Sequence, residues 1–182
     1  MDNLNRHIVE IYNRHSSWLY SVAYRILNNS AEAEDAIQES IIKYYKSFRL
    51  IKIIKPESYL KSICVRECLD ILRKRKVADA FTQEALLQNE ESTTEEVMYE
   101  DVSALERTVL GRDEQEIIKR IKDRLLQLSE GYRVVLSLYL FEGYDYTEIA
   151  QILGVKESSV RSQYLRGKIK LLELIEKDFI KN

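Results

Sequence analysis

The stretch Asp145-Tyr146-Thr147-Glu148-Ile149-Ala150-Gln151-Ile152-Leu153-Gly154-Val155, continued by Lys156-Glu157-Ser158-Ser159-Val160-Arg161-Ser162-Gln163-Tyr164-Leu165-Arg166-Gly167-Lys168, decides the fold of the C-terminal part of this chain. It reads as a helix-turn-helix. Asp145 with Glu148 three residues on is the reciprocal capping pattern that satisfies the orphan amides of a helix start. Gly154 ends that helix, because a glycine accepts the left-handed backbone that a sharp stop needs. Ala150 is small where two helices would cross closely, and Ile149, Leu153, Val155 and Val160 are apolar where the unit would close on itself. The second helix carries Arg161, Arg166 and Lys168 and can lie in a DNA major groove. The same residues would also make an ordinary helical hairpin whose cations form a solvated face.

The 182 residues fit one domain or two small ones. The formal charge is −2, which taken whole argues against nucleic-acid binding. Its distribution argues otherwise. Residues 61–76 hold six basic against two acidic side chains, a net of +4, and residues 156–170 hold five against one, again +4. Between them, residues 79–116 hold twelve acidic and two basic side chains, a net of −10. Two basic patches are separated by an acidic divider.

With five Gly and one Pro among abundant Glu, Lys, Arg, Leu and Ile, the chain is expected to be all-α. Ile8, Ile11, Trp18, Leu19, Val22 and Ile26 recur at helical spacing until Asn28-Asn29-Ser30, where Asn29 and Glu32 form a fresh cap. A second helix over about 31–48 turns Ala33, Ala36, Ile37, Ile41, Tyr44 and Phe48 inward and leaves Glu32, Asp35, Gln38 and Glu39 on a polar face. Pro56 fits the first turn of a third helix, whose Leu60, Ile63, Cys64, Leu69 and Leu72 lead to the run Arg73-Lys74-Arg75-Lys76. Four consecutive cations exceed what a helix end needs for its dipole, so phosphate contact is the favoured reading. The segment 78–112 reads as an acidic linker, with short helices in its flanks over 81–87 and 97–110. Helicity resumes near Asp113 with Ile117, Ile118, Ile121, Leu125 and Leu128. A helix started by Ser129-Glu130-Gly131 then supplies Val134, Val135, Leu138 and Leu140 to the core of a four-helix domain.

Cys64 and Cys68, the only cysteines, lie four apart on one helix and are read as buried small apolar residues, since His7 and His15 are far away in sequence. Asp35, Gln38 and Glu39 are an exposed polar face rather than a metal site. No phosphate loop, nucleophile elbow or acid-paired histidine occurs, so neither catalysis nor a cofactor is expected. The polar N-terminus and the lack of a long apolar run point to the cytoplasm. From residues alone several functions stay open: a DNA-binding helix-turn-helix protein, which could be a self-sufficient dimeric regulator, and a helical adaptor that binds only protein.

The ordered set of motifs resembles the bacterial RNA polymerase sigma factors of the sigma-70 family, in particular the small two-domain extracytoplasmic-function group. Leu19-Tyr20-Ser21-Val22-Ala23-Tyr24-Arg25-Ile26-Leu27 matches its opening helix and Ala33-Glu34-Asp35-Ala36-Ile37-Gln38-Glu39 its acidic-amide signature. Tyr59-Leu60-Lys61-Ser62-Ile63 and Asp70-Ile71-Leu72-Arg73-Lys74-Arg75-Lys76 match the third helix. Tyr146 to Ala150, Gly154-Val155 and Val160-Arg161-Ser162 match the terminal motif. The resemblance implies an N-terminal domain over 1–77, a linker over 78–112 and a helix-turn-helix domain over 113–182. It also implies that Asp35, Gln38 and Glu39, with Glu32 and Lys43 as neighbours, bind the clamp helices of the polymerase β′ subunit.

By the same resemblance, the third helix and the loop before it bind the −10 promoter element. Lys61, Arg66, Arg73, Lys74 and Arg75 would contact DNA there, while Tyr59 packs. The last helix would read the −35 element through Arg161, Ser162, Gln163 and Arg166, positioned by Ser158, Ser159 and Lys168. An anti-sigma partner, often a membrane protein, is implied as well; a small-molecule substrate is not. Three positions depart from the family pattern. Arg66 stands where Asn is usual, near the flipped −10 base, and Gln163 replaces a common Arg. Lys156 takes the place of a capping Ser, which leaves Ser158 as the alternative cap of a shorter helix.

Overall fold

A computed structural model describes residues 3–82 and 114–180; the flanking helix expected over 97–110, residues 83–87 of the one expected over 81–87, and most of the acidic linker lie outside the described residues. Among the described residues there are seven helices and no strand, which is the all-α class expected. The chain divides into two units, Met1–Glu84 and Ala85–Asn182.

The first unit consists of α1 (Asn3–Leu27), α2 (Ser30–Phe48) and α3 (Pro56–Thr82), each packed on the other two. The corner between α1 and α2 is made by two asparagines with different tasks. Asn28 takes the left-handed backbone (φ 52°) while its amide still bonds the Tyr24 carbonyl at 2.8 Å. Asn29 is extended, and its side-chain oxygen accepts from the Glu32 amide at 3.3 Å. Asn is among the few side chains that tolerate the first geometry, and among the best at the second. Leu19, Val22, Ile26, Ala33, Ala36, Tyr44, Leu60, Cys64, Val65 and Cys68 are fully buried between the helices. Ile41 and Phe48 are half-buried, and Trp18 lies on the surface with its ring edge against His15. The Ile8 side chain lies outside the described residues. Helix α3 continues to Thr82, so residues 78–82 of the expected linker are helical.

The second unit consists of α4 (Glu114–Leu125), α5 (Glu130–Leu140), α6 (Tyr146–Leu153) and α7 (Glu157–Ile180). Residues 133–138 of α5 are all buried, so α5 is the central helix of this unit. Leu125, Leu128, Leu136, Leu171 and Ile175 form its core cluster. Leu140, expected in the core, is 45 % exposed because it follows the enclosed part of α5 by two residues and emerges on the other side. Arg124 of α4 holds Asp178 near the end of α7 through Nε at 2.7 Å and a second bond from Nη2, so the first and last helices are tied by a charged fork.

The crossing of α5 and α7 requires Gly167. A Cβ there would lie 3.1 Å from Cβ of Tyr132 and 3.2 Å from Cδ1 of Leu136, closer than packed carbons normally come. Gly167→Val should therefore lower stability by about 1–3 kcal/mol, read as an earlier urea-unfolding midpoint; an unchanged midpoint would mean that the two helices can separate without cost.

Candidate nucleic-acid interface

In the first unit α2 and α3 run antiparallel and are cross-linked along their length. Lys43 Nζ donates to Glu67 at 2.6 Å, and Tyr59 donates its hydroxyl hydrogen to Ser47 at 3.0 Å, with its ring 6.3 Å from that of Tyr44. Tyr59 packs, as expected. The Glu67 hydrogen bond raises the Lys43 ammonium above its ordinary value, so this cation is held charged and engaged within the unit.

The basic run Arg73 to Lys76, about two turns before the end of α3, does not act as one patch. Arg66, Arg73 and Lys74 share a side of the helix, since seven or eight residues are about two turns, and all three are exposed. Arg73 is paired to Asp70 at 2.7 Å. Arg75, nine residues from Arg66, is half a turn out of phase. Its Nε donates to Glu32 at 2.9 Å, its Nη2 reaches the other carboxylate oxygen, and Nη2 also donates to the Leu27 carbonyl at 3.1 Å. Arg75 thus joins the end of α1 and the first turn of α2 to the C-terminal third of α3. Lys61 is half-buried.

On the outer side of α2, Asp35 and Gln38 are exposed and Glu39 is half-buried. Ile42, one turn beyond Gln38, is 45 % exposed and extends the same stripe. Its sequence signal was available: it is the one large apolar residue of α2 out of phase with the inward set. The loop over 49–55 gave no such signal in the apolar pattern. It exposes Leu50 (83 %), Ile51 and Ile54 (86 %) between Arg49, Lys52 and Lys55, an apolar surface bordered by cations at the start of α3.

In the second unit the helix-turn-helix is closed by local bonds. The Asp145 side chain accepts from the Glu148 amide at 2.8 Å and the Glu148 carboxylate accepts from the Asp145 amide at 2.9 Å. Gly154 adopts φ 70°, and the Val155 amide returns to the Ala150 carbonyl at 3.1 Å. Ile149, Ala150 and Val160 are buried as expected. Val155 is instead 46 % exposed, because the residue after a left-handed glycine is carried outward by the turn. Helix α7 starts at Glu157, and the Lys156 carbonyl accepts from the Ser159 and Val160 amides. Ser158 is inside the first turn and does not cap a shorter helix.

Ser158, Ser159, Arg161 and Ser162 form the exposed start of α7. Glu157 accepts from Arg161 and from Thr147 of α6; these two donors, Arg161 first, hold its carboxyl below the usual value. The Arg161 guanidinium lies 4.9 Å from the Tyr146 ring centroid. Tyr146 stacks on Tyr139 at 4.9 Å and meets Tyr164 at 5.4 Å; its phenol is pushed up to about 12, chiefly by burial and then by its tyrosine neighbours, so the ring under the cation stays neutral. Gln163 is half-buried, its amide beside Gly131 at the start of α5. Arg166 and Lys168 are half-buried, and Lys170 lies over the Tyr132 ring at 4.8 Å. The structure thus brings Ser158, Ser159, Arg161 and Ser162 together and sets Gln163 apart from them.

The two units correspond to two known domains. The Sigma-70 region 2 family model matches residues 11–77, and the Sigma-70, region 4 family model matches residues 118–171. The ECF RNA polymerase sigma factor SigE of Mycolicibacterium smegmatis is 30 % identical over 173 residues, covering 92 % of this chain and 61 % of SigE. SigW of Bacillus subtilis is 28 % identical, covering 88 % of this chain and 83 % of SigW. The ferric citrate uptake sigma factor FecI of Escherichia coli is 28 % identical, covering 83 % and 80 %. Among solved structures, the sigma factor RpoE of Bartonella quintana, in complex with the anti-sigma factor NepR, shares the fold with a TM-score of 0.57 at 19 % identity, covering 94 % of this chain and 98 % of RpoE. With both sigma regions in order along the chain, and with relatives named as ECF RNA polymerase sigma factors over 88–92 % of its length, this protein belongs to the extracytoplasmic-function group of the sigma-70 family of RNA polymerase sigma factors.

Proposed function

We propose that the chain binds core RNA polymerase and directs it to promoters that carry a −10 and a −35 element. The observation that carries this reading is the presence of exposed cations on both units, Arg66, Arg73 and Lys74 on the first and Lys156 and Arg161 on the second, together with the stripe of acid, amide and apolar side chains on α2. Polymerase supplies the chemistry of RNA synthesis, and this chain supplies the choice of start site.

Asp35, Gln38 and Ile42, with Glu39 at the edge, are the surface for the clamp helices of the β′ subunit. An exposed isoleucine among polar groups suits a partner that buries it. Arg66, Arg73 and Lys74 hold the backbone of the −10 region, and the loop over 49–55 offers its apolar side chains to unstacked bases between its own cations. Lys61 joins them from lower on α3. Ser158, Ser159, Arg161, Ser162 and Arg166 face the −35 duplex, with Lys168 on its backbone. Glu32, Lys43 and Arg75 act from within, by fixing α2 on α3. Gln163 supports α7 against α5.

Neither cationic surface needs to bind strongly alone, because polymerase holds both and raises the effective concentration of each. The segment 78–112, whose first five residues continue α3, joins the −10 and −35 domains. A restraining anti-sigma protein, such as the one bound by the Bartonella quintana relative, is the expected regulator.

Purified core polymerase and a promoter library provide the test: discrete transcripts that require this chain and share two spaced upstream elements are expected, and no new initiation from active core would refute the function. Asp35→Ala with Gln38→Ala should weaken core binding on the order of tenfold without changing the unfolding midpoint; equal affinity in titration would move the polymerase surface elsewhere. Arg75→Lys keeps the charge but loses the fork, so it should lower stability by about 1–3 kcal/mol. In unfolding experiments it should couple with Glu32→Gln by about 1 kcal/mol, whereas additive effects would separate the two residues.

A further inference from the structure

The two helices of the helix-turn-helix meet at the Glu157 carboxylate. One oxygen accepts from Arg161 Nε at 2.9 Å and Nη2 at 2.5 Å, and the other accepts from the Thr147 hydroxyl at 2.9 Å. The Tyr146 ring, 4.9 Å from the guanidinium carbon, supports the same group from α6. A guanidinium is a rigid planar fork, so a carboxylate on its Nε side leaves the edge between Nη1 and Nη2 for the next partner. That edge gives two parallel hydrogen bonds to O6 and N7 of guanine in the major groove. The arginine itself is well exposed, with 62 % of its side chain accessible.

Holding the side chain in one posture removes rotamer freedom before DNA arrives, which lowers the entropic cost of a contact that depends on direction. A phosphate contact has no such need, because a mobile cation satisfies it from many angles. A carboxylate beside that cation also weakens its attraction for phosphate. The arrangement therefore favours directional readout over general electrostatic holding.

The geometry points to Glu157 as a positioning residue for promoter specificity: assisted by Thr147 and Tyr146, it orients Arg161 to read one guanine of the duplex element. This deepens the assignment of α7 to the −35 element and rests on it.

The full chain on core polymerase is tested against promoter fragments randomised across the upstream element, with base preference and its salt dependence as readouts. The parent chain should enrich one guanine, and Arg161→Ala should abolish the preference at that position alone. Glu157→Gln should reduce the same preference on the order of tenfold, while binding to non-cognate fragments and the salt slope stay unchanged or increase. Thr147→Val, which removes only one tether of the carboxylate, should give a smaller loss at the same base and serves if Glu157→Gln does not fold. Full guanine preference in both carboxylate-tether variants would overturn the proposal. So would uniform weakening of all fragments by Arg161→Ala with a salt slope reduced by about one, the mark of a phosphate contact. If the parent chain enriches no upstream sequence, the assignment of α7 to promoter reading fails first, and the role of Glu157 fails with it.

Discussion

The first unit depends on one arginine that leaves its neighbours. Arg75 stands in a run of four cations, yet it turns to the junction of α1 and α2 and is held there by the Glu32 carboxylate and the Leu27 carbonyl. The Leu27 carbonyl ends α1, and Glu32 lies in the first turn of α2, whose start is capped by Asn29. A single guanidinium donates to that carbonyl and to the Glu32 carboxylate at once. Because the group is largely shielded from water, loss of either partner would leave a charge with poor solvation. The surface stripe on α2 and the cations on α3 are consequently fixed in relation to each other.

The second unit solves a related problem with smaller means. Local polar bonds close its helix-turn-helix: the reciprocal cap at Asp145 and Glu148, the turn at the left-handed Gly154 and the bridge from Thr147 to Glu157. Three tyrosines pack behind that bridge and connect α5, α6 and α7. The exposed start of α7 therefore rests on rigid elements, which suits a site that must present side chains in fixed directions.

What could be read from the sequence was mostly local. The caps at Asn29 and Asp145, the stop at Gly154 and the proline at the start of α3 depend on a few adjacent residues, and the structure has each of them. The order of the two sigma regions was equally legible, because a series of modest motifs in sequence leaves little room for other folds. The unlike fates of Arg73, Lys74 and Arg75 were not legible, since neighbouring cations differ only in helical phase against a partner helix. Leu140 and Val155 failed for a similar reason: periodicity gives a face, but the length of the enclosing neighbour decides where that face ends. Gln163 was read as a DNA contact from its place in a motif, and its packing beside Gly131 needed α5 in three dimensions.

The two thiols bear on how the first unit can be probed. Cys64 and Cys68 are both free thiols closed off from solvent in the middle of the first unit, and Cys68 is kept protonated by its hydrogen bond with Cys64 and by burial. Peroxides and electrophiles react with accessible thiolates, and neither sulfur meets that description while the three helices stay packed. Oxidation of either thiol therefore requires the first unit to open, so the reactivity of these cysteines reports on the packing of the three helices.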